Sequence, residues 1–536
     1  MSLGTAVSRV LGQVRVAVLV WIVGTTSLAA NAFQYANALP SQLQTLLISG
    51  ALSAVLIPQV VRAYKRGAGA EYVNRLLTFG FVVLAVVTLV ATAAVPLLVM
   101  VYARGDADPT RIALTVAFGY WTMPQLFFYG VYALVGQVLN ARGSFGPYMW
   151  APAVNNVVAI TTMVVFVWQF HAWGNQAPRQ WTASQVALLA GGATLGIVAQ
   201  ALVLVPALRR AGVRYRPQWG FRGAGLASAG KVALWTFVAL AIAQVTVVAV
   251  SQVAAAVPDV PGTAGKAVYD YGLMIFMLPH SLVTVSLLTA LFPRLSAQAA
   301  DRAHTDVART FSSTVRVVGL FTVLVATLGL LLAGPVARVV IPTINPVDVA
   351  AMSKVVMAFM VGLPAYGVWS ACQRVYYAYE DARSLVPVAV GSAAVVLLGT
   401  LGVWRLLDPH LWVFGAALSM SASYLLSMAM ALSGLKVRIG AVGGAAILRT
   451  YLRATFAVAV AASSGLAALR GLRYLGMVDS TGLRGWLVAV GVCVIVGAVC
   501  AGTYLVLLKL LRVRELDLLI GSVRKGITRL KRRRSD

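Results

Sequence analysis

The chain of 536 residues is 60% hydrophobic and only 11% charged, with a mean hydropathy of +0.85. A soluble domain is about half apolar and about a quarter charged, so a soluble globular fold is excluded. Lys+Arg outnumber Asp+Glu by 43 to 15, a formal +28; on a chain this apolar the surplus marks one face of a membrane rather than a nucleic-acid surface. Three cysteines (Cys372, Cys493, Cys500) lie in apolar runs, and the four histidines (His171, His280, His304, His410) are scattered. That pattern implies neither a disulfide framework nor a metal site, and no cofactor is expected.

A helix that crosses a bilayer needs about 20 mostly apolar residues. Breaks at charges, Pro and Gly give six expected spans in the first half, at roughly 11–30, 38–61, 76–101, 112–139, 147–170 and 184–208. Six more follow at roughly 231–256, 267–293, 312–341, 350–373, 385–404 and 411–434, then a last pair at roughly 450–470 and 485–511. The least regular is 38–61, whose first turns carry Ser41, Gln42, Gln44 and Thr45. The first apolar stretch lacks a small-residue cleavage site, so no cleavable signal peptide is expected. The expected fold class is thus an all-α polytopic membrane protein with about 14 transmembrane helices.

Basic residues set the orientation. With the N-terminus inside, 33 of the 43 Lys+Arg fall on that side of the membrane and 10 on the other. This asymmetry is the positive-inside signature; it places both termini in the cytoplasm of a multi-pass protein. The basic tail with Lys531-Arg532-Arg533-Arg534 is expected to meet anionic lipid headgroups, not nucleic acid.

No loop exceeds roughly thirty residues, which leaves no room for a catalytic domain outside the bilayer, and no enzyme activity is expected. Asp106 and Asp108 form a close acidic pair in an outer loop; between Gly105 and Pro109 they read as a solvated turn. The stretch 225–232 nearly spells a phosphate-binding loop. Val232 stands after Lys231 where a magnesium-binding Ser/Thr is needed, and no strand precedes it.

The fourth and tenth spans resemble each other. Tyr129-Gly130-Val131-Tyr132 aligns with Tyr366-Gly367-Val368-Trp369 at an offset of 237, and Val138 and Ala141 meet Val375 and Ala378 at the same offset. Leu56-Ile57-Pro58 similarly matches Leu291-Phe292-Pro293 at 235. Six spans separate the members of each pair, so both copies enter the membrane in the same direction. The expected organisation is two parallel six-helix bundles, 1–210 and 231–435, joined by a cytoplasmic basic linker, 211–230. Two additional transmembrane helices, 450–511, and a basic cytoplasmic tail, 512–536, complete it. Parallel repeats of this kind are found in transporters that rock one half against the other.

Polar groups in hydrocarbon mark the candidate site. An arginine there costs about 2.5–3.5 kcal/mol on insertion scales, so it faces a cavity or snorkels from a helix end. Arg9 and Arg15 are about 9 Å apart along a helix, and either reading fits them. Guanidinium is suited to phosphate because its fork donates two parallel hydrogen bonds. The remaining interior polarity is neutral, including Asn31, Gln42, Gln44, Gln125, Asn155, Asn156 and Gln244; such amides commonly pair between helices. Asp270 is the acid expected at the edge of a span, which gives ion coupling thin support. Gly24, Pro40, Pro58 and Pro279 are the expected helix breaks or gating points, since breaks at matching places in two halves point to a transport path.

These residues resemble the MurJ/MviN lipid II flippases of the MOP exporter superfamily. Ser8-Arg9-Val10-Leu11-Gly12-Gln13-Val14-Arg15 is similar to the family's opening Ser-Arg-hydrophobic-Leu-Gly-x-x-Arg. Asn31-Ala32-Phe33, Ala38-Leu39-Pro40 and Gly50-Ala51-Leu52-Ser53 resemble its second span. Pro124-Gln125-Leu126-Phe127-Phe128-Tyr129 and Val138-Leu139-Asn140-Ala141-Arg142-Gly143 resemble its fourth span and following loop. Gln373-Arg374-Val375-Tyr376-Tyr377-Ala378-Tyr379-Glu380-Asp381 resembles the corresponding segment of the second half.

The resemblance implies that the chain moves lipid II, an undecaprenyl-pyrophosphate disaccharide-pentapeptide, or a related polyprenyl-pyrophosphate glycan, from the inner to the outer leaflet of a bacterial cell membrane by alternating access. The last two helices would form a groove for the polyprenyl tail, and cell-wall synthesis proteins are further expected partners. The family's two first-span arginines fall on Arg9 and Arg15, its acid before Ala-Phe on Asn31, the arginine after Leu-Pro on Gln44, and the eighth-span arginine near Met274. The substrate-binding set is then Arg15, Arg9, Asn31 and Gln44, with several of the family's charges replaced by neutral groups. The alternatives are a flippase for another polyprenyl-linked glycan, a MATE-like drug exporter, and a transport-inactive scaffold for cell-wall synthesis.

Overall fold

The computed structural model describes residues 2–46, 70–103, 108–142, 144, 146–171, 181–219, 230–258, 260, 262–440, 442–474, 482–513 and 515–516. Among them no strand occurs. Hydrocarbon offers backbone N–H and C=O groups no partner, and a helix satisfies them within itself.

The first part of the chain forms α1 (Ser2–Val23), α2 (Leu28–Leu46), α3 (Ala70–Ala93), α4 (Val95–Ala103), α5 (Pro109–Thr122), α6 (Gln125–Ala141), α7 (Gly146–Phe170), α8 (Ala183–Leu202), α9 (Leu204–Arg210) and α10 (Gly230–Ala256). Then follow α11 (Lys266–Pro279), a π-turn (His280–Thr284), α12 (Val285–Ala300), α13 (His304–Leu331), α14 (Ala333–Val340), α15 (Pro346–Ala378), α16 (Val386–Leu406), α17 (Trp412–Ile439), α18 (Gly444–Tyr474) and α19 (Gly482–Leu510).

Among the described residues, ten helical stretches are long and apolar enough to cross a membrane, and the pair α3 and α4, bent by 68°, makes eleven. The bend has a cause in the sequence: Pro96 has no N–H for the carbonyl one turn back. The chain is therefore an all-α, multi-pass membrane protein. A count of fourteen requires three more crossings: 11–30, most of which lies in α1, 38–61, which starts in α2 and runs beyond the described residues, and 112–139, divided between α5 and α6 at Met123 and Pro124. Of the acidic pair Asp106 and Asp108, Asp108 caps α5 by accepting from Thr110 N at 2.8 Å, the role of a solvated turn; Asp106 lies outside the described residues.

The helices cluster into two compact units. Unit 1 comprises Met1–Asp270, Thr343–Asp348 and Thr400–Val413, and unit 2 comprises Tyr271–Pro342, Val349–Gly399 and Phe414–Asp536. In unit 1, Leu77, Leu84, Leu134, Val138 and Leu208 form one buried cluster, and Tyr35, Leu39, Val95, Val99 and Met123 another. Small residues bring α7 and α8 together: a Cβ on Gly192 would lie 2.4 Å from Thr162 Oγ1, and one on Gly196 the same distance from Asn155 Oδ1. Close approach through glycine is how helices gain dispersion contacts where lipid supplies no hydrophobic drive. In unit 2, Phe311, Val315, Val368, Val375 and Leu435 form the main cluster, while Leu320, Ala457, Tyr504 and Leu508 join α13 to α18 and α19.

The two copies of Tyr-Gly-Val make the same local contact. Gly130 of α6 lies against Leu84 of α3, where a Cβ would approach to 2.3 Å, and Gly367 of α15 against Val318 of α13, where it would approach to 2.8 Å. The partners belong to the third and ninth expected spans, equivalent positions in a six-span repeat.

Candidate functional site

Helix α1 is seated on α7 by one face. Asn156 Nδ2 donates to the Ser8 carbonyl at 2.8 Å, and the bare backbone faces of Gly4 and Gly12 meet Trp150 and Asn156. At 100° per residue, Gly4, Ser8, Gly12 and Arg15 fall within about 80° of one another, while Arg9 is turned about 100° from Ser8. Arg15 is thus on the packed face of α1. It is half-buried, and its guanidinium lies within electrostatic range of the Tyr129 phenol on α6. Arg9 is also half-buried, on the flank of that face.

Helix α2 presents a different polar face. Asn31 Oδ1 accepts from Ala267 N at 2.9 Å, Tyr35 OH donates to the Ser251 carbonyl at 2.9 Å, and Gln244 Nε2 donates to Gln42 Oε1 at 3.1 Å. Asn31, Tyr35 and Gln42 share one stripe of the helix, and Gln44 lies about 140° from Asn31. The structure does not bring Gln44 and Asn31 onto one face. Asn31 instead caps the start of α11, satisfying an N–H that the first turn leaves without an intrahelical partner.

This fit is tight: a Cβ on Gly265 would lie 2.6 Å from Asn31 Nδ2. Gly265→Ala is expected to destabilise the protein by about 1–3 kcal/mol. In thermal unfolding, adding Asn31→Ala to Gly265→Ala should recover part of the loss; an additive double variant would contradict the contact. One helical turn into α11, Lys266 and Asp270 form an ion pair, with the Lys266 side chain buried.

Of the expected helix breaks, Gly24 is one, whereas α2 runs on through Pro40 and a π-turn carries the chain past Pro279 into α12. Gly24 takes a φ of +79° and ends α1, with its N–H bonded to the Val20 carbonyl at 2.7 Å; a left-handed residue there is cheap only as glycine. Pro40 sits inside α2 and cannot donate to the Ala36 carbonyl, so Thr122 Oγ1 of α5 donates to it at 2.9 Å. Pro279 ends α11 and is followed by the π-turn, whose His280 is buried with its ring 4.5 Å from that of Tyr366. Met274 is half-buried on α11. Pro58 lies outside the described residues.

Two amide oxygens in these helices differ from the interhelical pairing expected of interior amides. Gln13 Oε1 is buried without a hydrogen-bond donor, as is Asn155 Oδ1; both are acceptors for hydroxyl or amide groups. Their signal in sequence was only a polar residue on an apolar helix. Among the described residues, no group of three or more His, Cys, Asp or Glu is placed to hold a metal ion.

An arginine fork on a packed face, with neutral amides on the adjoining helices, suits an anionic, hydroxyl-rich headgroup. The chain is similar to known proteins along most of its length. The family model "Lipid II flippase MurJ" matches residues 21–480. The probable lipid II flippase MurJ of Vibrio cholerae is 28% identical over 454 residues, 81% of each chain, and that of Haemophilus influenzae 26% identical over 451 residues, 80% of this chain and 84% of its own. Among solved structures, a lipid II flippase MurJ in an inward closed conformation superposes with a TM-score of 0.68 at 17% identity, covering 94% of this chain and 98% of its own. An inward-facing multidrug resistance MATE transporter of the MOP superfamily reaches 0.63 at 12% identity, covering 82% and 96%. The match over 21–480 spans most of the sequence, and the chain belongs to the lipid II flippase MurJ family.

Proposed function

We propose that the chain flips lipid II from the inner to the outer leaflet of the bacterial cell membrane by alternating access, without covalent chemistry. The observation that carries this reading is the family match along residues 21–480, together with relatives aligned over four fifths of both chains. Arg15 on the packed face of α1 supplies the phosphate-binding fork, and the neutral amides supply partners for sugar and peptide. Arg9, Asn31 and Gln44 contribute more weakly, Asn31 by holding the start of α11. Both termini lie in the cytoplasm, following the basic residues. Two six-helix bundles, 1–210 and 231–435, form the transporting halves, supported by the equivalent Gly130 and Gly367 contacts.

The MATE fold is shared, but that transporter is matched over 96% of its own length while covering 82% of this chain. The excess suits α18 and α19, which pack together and onto α13 through Leu320, Ala457, Ala461 and Tyr504. A helix pair beyond twelve fits a substrate with a long lipid tail better than a drug. Depleting the protein in cells without a second flippase should leave lipid II on the inner leaflet within a generation. Unchanged exposure of lipid II on the outer leaflet would reject the reading.

A further inference from the structure

The turn between α1 and α2 carries two buried threonines, and both donate to one carboxylate. Thr25 Oγ1 reaches Asp348 Oδ2 at 2.7 Å, and Thr26 Oγ1 lies 3.1 Å from each carboxylate oxygen. Gly262 N donates to Oδ1 at 2.8 Å. Asp348 is only 4% exposed, although it stands in the first turn of α15. Carboxylates are common there because of the helix dipole, yet as a rule they face water.

The backbone is shaped around this contact. Gly24 and Gly262 both take left-handed conformations, φ +79° and +80°, and a Cβ on Gly262 would come within 2.8 Å of Val347 Cγ1. Thr343 Oγ1 adds a bond to the Ala17 carbonyl at 3.3 Å. Segment Thr343–Asp348 belongs to unit 1, whereas the chain from Val349 belongs to unit 2. Asp348 is therefore the last residue held to unit 1 before the chain leaves it.

We propose that Asp348 is a positioning residue of the transport cycle: its carboxylate latches the 24–27 turn and the Gly262 loop onto Thr343–Asp348, and each cycle breaks and remakes that latch. The inference rests on the proposed alternating access and orientation, which put this turn at the outer surface. Delivering a headgroup to the outer leaflet requires the outer ends of the proposed halves, 1–210 and 231–435, to part; Thr25 and Thr26 belong to the first and Gly262 and Asp348 to the second. The chemistry suits reversal. Hydroxyl and amide donors exchange a carboxylate for water with small net change, while in the closed state they need that carboxylate because they are buried.

The test uses the full-length protein with Cys372, Cys493 and Cys500 replaced by Ala and a single cysteine introduced by Ala30→Cys, at a buried position on α2. Intact cells are treated with a membrane-impermeant maleimide. Asp348→Ala is expected to raise the labelling rate at least about tenfold, the shift expected when buried donors lose their acceptor. Asp348→Asn, which keeps one oxygen for Gly262 N, should fall between. Equal rates in all three would overturn the latch. Because Asp348→Ala is open to misfolding, a Thr26→Cys/Asp348→Cys pair is measured separately: oxidation should stop lipid II flipping and reduction restore it. Flipping at the reduced rate after verified cross-linking would also overturn the proposal. A labelling change in a protein that moves no lipid II would keep the latch and reject the proposed substrate.

Discussion

Arg15→Ala is expected to lower lipid II flipping by about 10- to 100-fold, the loss that follows when a charge-assisted pair of hydrogen bonds worth about 1.5–3 kcal/mol is removed from the proposed phosphate recognition. The same substitution at Arg9, on the flank of α1, lowers it by less than about threefold. Arg15→Lys keeps the charge and loses the planar fork, so its rate lies between that of Arg15→Ala and the parent. The measurement is initial flipping rate per folded protein in proteoliposomes. Equal rates for Arg15→Ala and the parent would remove Arg15 from the site.

The second large effect concerns stability. Arg316 of α13 and Glu515, just past α19, form an ion pair, and Val513 and Leu516 beside Glu515 are buried against α13, α18 and α19. The two partners are unequal: the Glu515 side chain is 6% exposed and that of Arg316 25%. Arg316→Ala strands a carboxylate with little access to water and is expected to cost about 3 kcal/mol. Glu515→Ala leaves an arginine that can extend toward headgroups, so the cost is about 1–2 kcal/mol. The double variant should be more stable than Arg316→Ala alone. Thermal unfolding of the four proteins in one detergent checks this, and an additive double variant would contradict the coupling.

Much of the architecture was legible because hydrocarbon leaves few options. Apolar length gave most of the spans, but the expected span 11–30 runs past Gly24, which closes α1, and Pro279, inside the expected span 267–293, precedes the π-turn. Pro40 was read as a break, whereas α2 runs through it, and the Thr122 hydroxyl that takes up the freed carbonyl is 82 residues away. The count of spans was less secure where polar residues enter helices, as with Arg9 and Arg15 in α1, and where Pro124 divides a run.

The site was read less completely. Motif spacing drew attention to Arg15, and helical geometry explains why it, rather than Arg9, shares the face that meets α7. Asn31 stood out through the resemblance, but its structural role is a cap on a segment 236 residues later. Asp348 gave no sequence signal: one aspartate after Pro346 reads as an ordinary helix start. Its significance comes from Thr25 and Thr26, more than 320 residues earlier. Contacts at that separation follow from the fold and cannot be read from local pattern.

The central claim is tested most directly with purified full-length protein in proteoliposomes that carry lipid II in both leaflets. An enzyme that modifies the headgroup is added outside only. The account predicts that protein-free vesicles expose about half of the lipid II, while vesicles with the parent protein expose nearly all of it over time and those with Arg15→Ala lag. Exposure held at the protein-free level by folded, correctly inserted protein would contradict it.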